Sequence, residues 1–150
     1  MPARVMLVGE APGRREDEEG RPFVGQAGTY LDRLLEAVGL RRDQVFVTSA
    51  VKCRPPGNRP PHLPELTTCR AAWLDRQLAL VAPAIVVVMG QAAVRQVLGE
   101  TKRMNDLHGG TRRDRGRVYL LTYHPAAGMR FPHADRAIRD DFAVLAGLLR

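Results

Sequence analysis

Glu10 is the first residue of this 150-residue chain whose type and setting suggest chemistry. It lies in Gly9-Glu10-Ala11-Pro12-Gly13, directly after the apolar run Val5-Met6-Leu7-Val8. An apolar run bounded by Gly and Pro reads as a buried strand that stops at a tight turn. In an open α/β sheet, ligands bind outside the carboxyl ends of the strands, so Glu10 is expected at the mouth of a crevice. A carboxylate there can act as an acid, a base or an orienting group for water. Gly9 and Gly13 let the backbone approach a ligand, and Pro12 stiffens the turn between them. The alternative is an ordinary strand-to-loop turn with a surface Glu. Cys53 and Cys69 are the only cysteines. They are too few for a disulfide scaffold and read as free thiols or half of a metal site.

Composition narrows the classes. The length fits one compact domain, residues 1–150, with a sizeable core. The formal net charge is +7, carried almost entirely by Arg. A small basic domain fits a nucleic-acid binder, because neutralising phosphates releases counterions. Arg suits bidentate phosphate contacts, although Arg-for-Lys usage also follows from a GC-rich genome or a thermophilic source. No apolar run is long enough to span a membrane, and the first strand starts too early to leave room for a signal peptide. The expectation is a cytoplasmic protein.

The elements that must position Glu10 follow in order. Gly20-Arg21-Pro22-Phe23-Val24-Gly25 is a Gly/Pro loop. Leu31, Leu34, Leu35 and Val38 recur at helical spacing, predicting a helix over 27–38 that ends at Gly39. Residues 44–51 are β-branched and apolar, a second strand. Arg54 to His62 carries too many prolines for a helix or a central strand. An amphipathic helix is predicted over 64–81. Ala84 to Met89 is a strand apolar on both faces, as in a parallel sheet. A short helix follows over 91–98. Residues 101–117 read as a basic loop with room for a short strand or hairpin. Val118 to Thr122 is the last core strand, ending in Tyr123-His124-Pro125-Ala126-Ala127-Gly128. The final helix spans roughly 134–149. Strands alternating with helices imply right-handed crossovers and a mostly parallel sheet. The loops after the first, second and last strands then gather on one edge of that sheet, which marks a site.

Three stretches together carry a resemblance. They are Gly9 to Gly13 with Glu16-Asp17 and Gly20 to Gly25; Val51-Lys52-Cys53-Arg54-Pro55-Pro56-Gly57-Asn58-Arg59; and Thr122-Tyr123-His124-Pro125-Ala126-Ala127. In this order they resemble the uracil-DNA glycosylase superfamily, and more closely its iron–sulfur-containing bacterial and archaeal branch, often called family four. The resemblance implies a three-layer αβα domain with a central, mostly parallel four-stranded sheet. It also implies an enzyme that flips uracil out of DNA and hydrolyses its N-glycosidic bond, leaving an abasic site for base-excision repair.

Residue roles come with it. A base must be extruded and stacked before it is cut, and Phe23 matches the stacking aromatic. Uracil leaves as an anion, so a donor at its O2 lowers the barrier; His124 matches that donor, with a backbone N–H near Gly9 to Ala11. Glu10 and Glu16 are candidates to orient the attacking water, with Asn58 as a hydrogen-bonding helper. Glu18 and Glu19 read as a solvated charge run. Arg54, Arg59, Arg112, Arg113 and Arg130 are expected to bind phosphates. Met129 is expected to fill the gap left by the flipped base.

Two features depart from the family pattern. Ser49 stands where the family reads Asn, whose amide pairs with the Watson–Crick edge of uracil. One hydroxyl cannot reproduce that bidentate contact, so weakened discrimination, altered base choice or low activity is expected. Cys53 and Cys69 match only the downstream half of the family's cluster ligands. A four-iron cluster takes four thiolates. No metal or other cofactor is therefore expected unless an upstream cysteine pair is missing from this chain. The expected partner is uracil-containing DNA, single- or double-stranded, met by a monomer. The competing expectation is a cluster-less, weakly active or inactive homologue that binds DNA or a free base. An unrelated nucleotide-binding domain is disfavoured, because no strand runs into Gly-x-Gly-x-x-Gly or a P-loop.

Overall fold

The computed structural model describes residues 3–150. Its centre is a five-stranded sheet in the order β2-β1-β3-β5-β4, formed by β1 Val5–Gly9, β2 Phe46–Ser49, β3 Ile85–Met89, β4 Thr111–Asp114 and β5 Arg117–Thr122. β2, β1, β3 and β5 run parallel, and β4 pairs antiparallel with β5. Every residue of β1 and β3 is buried, because helices cover both faces of the parallel part.

The alternation of side chains divides the core into two halves. Met6, Val8, Val86 and Val88 face α3 Leu63–Cys69, α4 Asp75–Val81 and α5 Gln91–Leu98 through Leu66, Leu78 and Val94. Leu7, Val87, Met89 and Leu120 face α2 Gln26–Ala37 and the long terminal helix through Leu31, Leu35, Ile138 and Phe142. The predicted three-layer αβα architecture is thus present.

Several expectations are revised in detail. The sheet has five strands rather than four. β4 reads Thr-Arg-Arg-Asp with every side chain exposed, so no apolar alternation announces it. It forms because Arg115 and Gly116 both take positive φ, 51° and 79°, as a tight hairpin turn requires. β2 is shorter than predicted, and Ala50 and Val51 already turn away, their N–H groups donating to the carbonyls of Gly9 and Glu10.

The charged run after the first turn is a helix, α1 Arg14–Glu19, laced by Arg14–Glu18 and Arg15–Glu19 pairs one turn apart. The predicted 64–81 helix continues from α3 to α4 through a wider π-helical turn at Arg70–Leu74. The short helix over 91–98 stands as predicted. α6 Met104–Leu107 interrupts the basic loop. The turn after β5 winds into α7 Pro125–Arg130, and α8 Pro132–Leu148 closes the chain. Among the described residues, no helix is long and apolar enough to cross a membrane.

Candidate active site

A cavity of about 600 Å³ opens at the carboxyl ends of β1, β2 and β5. Ala11, Glu16, Phe23, Ser49, Lys52 and His124 are among the residues lining it. The three loops that the strand order directs to one sheet edge therefore meet.

Phe23 is buried, at 8% exposure, although it belongs to a Gly/Pro loop. Its backbone has φ 54°, a left-handed conformation that costs free energy for a residue with a Cβ. Two features hold it there. Arg42 donates from Nη2 to the Phe23 carbonyl at 2.7 Å and from Nη1 to the Pro22 carbonyl at 3.1 Å, and is itself paired with Asp32 at 2.8 Å. Gly28 of α2 makes the room, since a Cβ there would stand 1.8 Å from the Phe23 carbonyl oxygen.

The Phe23 ring stacks on the His124 imidazole, with centroids 5.5 Å apart and planes inclined by 25°. Gly9, at the end of β1, lies against both. A Cβ on it would come 2.6 Å from Phe23 Cζ and 3.4 Å from His124 Nε2. Glycine at this strand end is a steric requirement.

His124 is the residue that caps α7. The Ala126 N–H donates to its Nδ1 at 3.0 Å, so Nδ1 is an acceptor and the ring proton sits on Nε2. Pro125 at the first helical position lacks an N–H to compete for that ring nitrogen. The ring keeps a little exposure through the cavity mouth, but the surrounding protein lowers its pKa to about 4 by burial, opposed only by the charge of Glu16. At neutral pH it is an uncharged donor. The strand beneath is anchored as well. Thr122 Oγ1 donates to buried Asp141 at 2.6 Å, and Asp141 also bonds His108 Nδ1 at 3.2 Å.

The two candidate carboxylates have different settings. Glu16 accepts from the backbone N–H groups of Gly13, Val24 and Gly25 at 3.0, 2.9 and 2.8 Å. Partial burial pushes its carboxyl up, but these donors outweigh burial and hold it below the usual value. Its oxygens are engaged in tying the first turn to the Phe23 loop. Glu10 is half-buried, and burial alone raises its pKa. Neither Glu10 nor Asn58 contributes to the cavity wall. Asn58 is exposed and accepts from Arg54 Nε at 2.7 Å.

The opposite wall holds residues that sequence reasoning did not single out. Lys52 Nζ donates to Thr48 Oγ1 at 2.8 Å and to the Ser49 carbonyl. Burial lowers the Lys52 pKa to about 8. Thr48 in turn donates to Gln77 of α4 at 3.1 Å. Ser49 is buried and donates to the Val51 carbonyl at 2.6 Å. Lys52 lies inside the second motif, three residues after Ser49, and that was its only signal; Gln77 carried none.

The expected DNA-binding residues are dispersed. Met129 and Arg130 stand exposed on α7, directly after His124. Arg130 packs over the Phe131 ring, 5.4 Å from its centroid. Arg59 is held by a bidentate pair with Glu65 at 2.8 and 3.0 Å. Arg112 and Arg113 lie on β4, at the sheet edge opposite β2.

The cluster that the family resemblance implies does not fit the residues present. The sequence supplies two cysteines, and four thiolates are needed. Among the described residues, no group of three or more His, Cys, Asp or Glu is placed to hold a metal ion.

Comparison with known proteins agrees with the geometry. The sequence matches the family model of the Uracil DNA glycosylase superfamily over residues 2–145. The type-4 uracil-DNA glycosylase of Sulfurisphaera tokodaii is 41% identical, across 93% of this chain and 67% of that protein. The type-5 uracil-DNA glycosylase of Thermus thermophilus is 33% identical, across 81% of this chain and 64% of its own length. In fold, the chain is similar to the crystal structure of wild-type Pedobacter heparinus SMUG2, with a TM-score of 0.52 at 13% identity, covering 98% of this chain and 76% of that one. Sequence motifs, layered sheet and relatives converge on one statement: the chain belongs to the uracil DNA glycosylase superfamily.

Proposed function

We propose that this protein excises uracil from DNA by hydrolysing its N-glycosidic bond. The observation that carries the reading is His124. It is neutral, has its proton on Nε2, and is stacked beside Phe23 over the bare backbone of Gly9. As the bond to the sugar breaks, negative charge collects on uracil O2. A fixed N–H donor that needs no reorganisation stabilises that charge. A neutral donor suits the task, because it need not release or gain a proton as the anion forms.

Phe23 supplies the face on which the flipped base stacks. Ala11 and Gly9 contribute backbone close to the base. Glu10, which stands beside Ala11 just outside the cavity wall, orients the water that attacks C1′ and offsets the positive charge of the sugar. Glu16 acts through the loops it ties together. Asn58 assists only if the Pro-rich loop moves when DNA binds. Arg54, Arg59, Arg112, Arg113 and Arg130 meet phosphates, and Met129 enters the vacated stack. In this reading the protein is a cytoplasmic monomer acting on single- or double-stranded uracil-containing DNA, and its chemistry needs no step routed through a metal.

A second reading is favoured by Ser49, whose hydroxyl proton is already committed to the Val51 carbonyl. It gives a weakly active or non-cleaving homologue that binds DNA or a free base, or a glycosylase with another base preference. Single-turnover cleavage of a single-stranded oligonucleotide with one uracil separates the two. Uracil excision predicts cleavage that falls about 100- to 1000-fold in His124→Ala, with DNA binding kept. Salt-sensitive binding without cleavage would leave the second reading standing.

A further inference from the structure

We infer that Ser49 and Lys52 act as one unit that reads the Watson–Crick edge of the flipped base, with Ser49 Oγ as acceptor and Lys52 Nζ as donor. The inference rests on the uracil-excision reading and adds a specificity residue to it. Ser49 and Lys52 line the same cavity as Phe23 and His124.

Their hydrogen bonds leave complementary valences. The Ser49 hydroxyl spends its single proton on the Val51 carbonyl at 2.6 Å, so toward the cavity Oγ is an acceptor only. The Lys52 ammonium carries three donors. Two go to Thr48 Oγ1 and the Ser49 carbonyl, which fix the head of the side chain beside Ser49 and leave one N–H to give.

An acceptor beside a donor is the order that an amide side chain would present. Uracil offers the matching partners, an N3–H donor next to an O4 acceptor. Cytosine offers the reverse, an N3 lone pair next to an N4 amino group. It would set lone pair against lone pair at Ser49 and N–H against N–H at Lys52. Unpaired polar groups in a partly desolvated pocket are what give strong rejection of the wrong ligand.

The test compares single-turnover cleavage of oligonucleotides carrying uracil or 4-thiouracil, whose sulfur is a poor acceptor at the O4 position. Wild type, Lys52→Met, and Lys52→Met combined with Ser49→Asn are measured, with melting temperatures. Lys52→Ala, which likewise removes the donor, is the variant to use if Met unsettles the end of β2. Expected is a wild-type preference for uracil over 4-thiouracil of about 10- to 100-fold that shrinks to within about twofold in Lys52→Met. Adding Ser49→Asn should recover about tenfold of the lost uracil rate, because its amide supplies both valences. A merely structural Lys52 would lower both rates together and leave their ratio intact, which overturns the inference. Failure of the double variant to recover would overturn the pairing with Ser49. If wild type cleaves no uracil at all, the excision reading fails and takes this inference with it. Cleavage by wild type with an unchanged ratio sinks the inference alone.

Discussion

The two flanks of the cavity are built differently. On the β1–β5 side, Phe23, Gly9 and His124 are over-determined. A strained backbone is held by Arg42, a ring nitrogen is capped by Ala126, and three N–H groups converge on Glu16. On the other side, the Pro-rich segment after Lys52 is exposed over Pro56 to Asn58, between the buried Pro55 and Pro61. Its side-chain ties are the Arg54–Asn58 contact and the Arg59–Glu65 pair, and the N–H groups of Asn58 and Arg59 donate to the carbonyls of Pro55 and Pro56. Both flanks carry family motifs, yet beyond Ser49 and Lys52 the second has no comparable set of converging contacts. Rigidity is placed where charge must be stabilised at once, and latitude where a phosphate backbone must be accommodated.

Substitutions graded across these flanks sharpen the contrast. Gly9→Ala should have the largest effect, because its Cβ would stand 2.6 Å from the Phe23 ring. Uracil cleavage should drop at least 100-fold in single-turnover assays, with about 1–3 kcal/mol of stability lost to overpacking in denaturant melts. Glu16→Gln should come next. Its amide group would face a backbone N–H with a donor of its own, costing about 1–3 kcal/mol in the same melts. The wild-type carboxylate has its pKa held below 4.5, so its contribution to stability is present above about pH 4.5 and fades as the pH falls through the lowered value. Glu16→Gln should flatten that part of the stability profile. Arg59→Ala should do least: its ion pair lies partly exposed at the surface, and such pairs add little to stability. The melting temperature should hardly move, while the salt dependence of DNA binding should become shallower by at most about one counterion. A large loss of cleavage in Arg59→Ala, or none in Gly9→Ala, would break the contrast.

Much of this was legible because burial leaves a mark in sequence. The four parallel strands carry apolar residues that face helices, and the Gly/Pro turns at their ends direct three loops to one edge. Gly9, Phe23, Ser49 and His124 could therefore be placed together before their contacts were known. The fifth strand was legible only as room for a short strand or hairpin over 101–117, since β4 is polar on every side and is specified by its turn alone. Glu16 resembled a catalytic carboxylate because its partners are backbone N–H groups, which side-chain identities do not reveal. Asn58 followed the motif, but its positive φ of 55° and its contact with Arg54 leave it off the cavity wall. Lys52 was marked only by its place in the second motif, and Gln77 reaches the site from a packed helix, a tertiary fact with no local signature.

His124 waits as a neutral donor with its proton on Nε2. Long-range proton–nitrogen NMR correlations of the His124 ring test it most directly, recorded from neutral pH downward. A pyrrole-like Nε2 and a pyridine-like Nδ1 are expected at pH 7, with protonation delayed until about pH 4. An imidazolium at pH 7, or the proton on Nδ1, would contradict it.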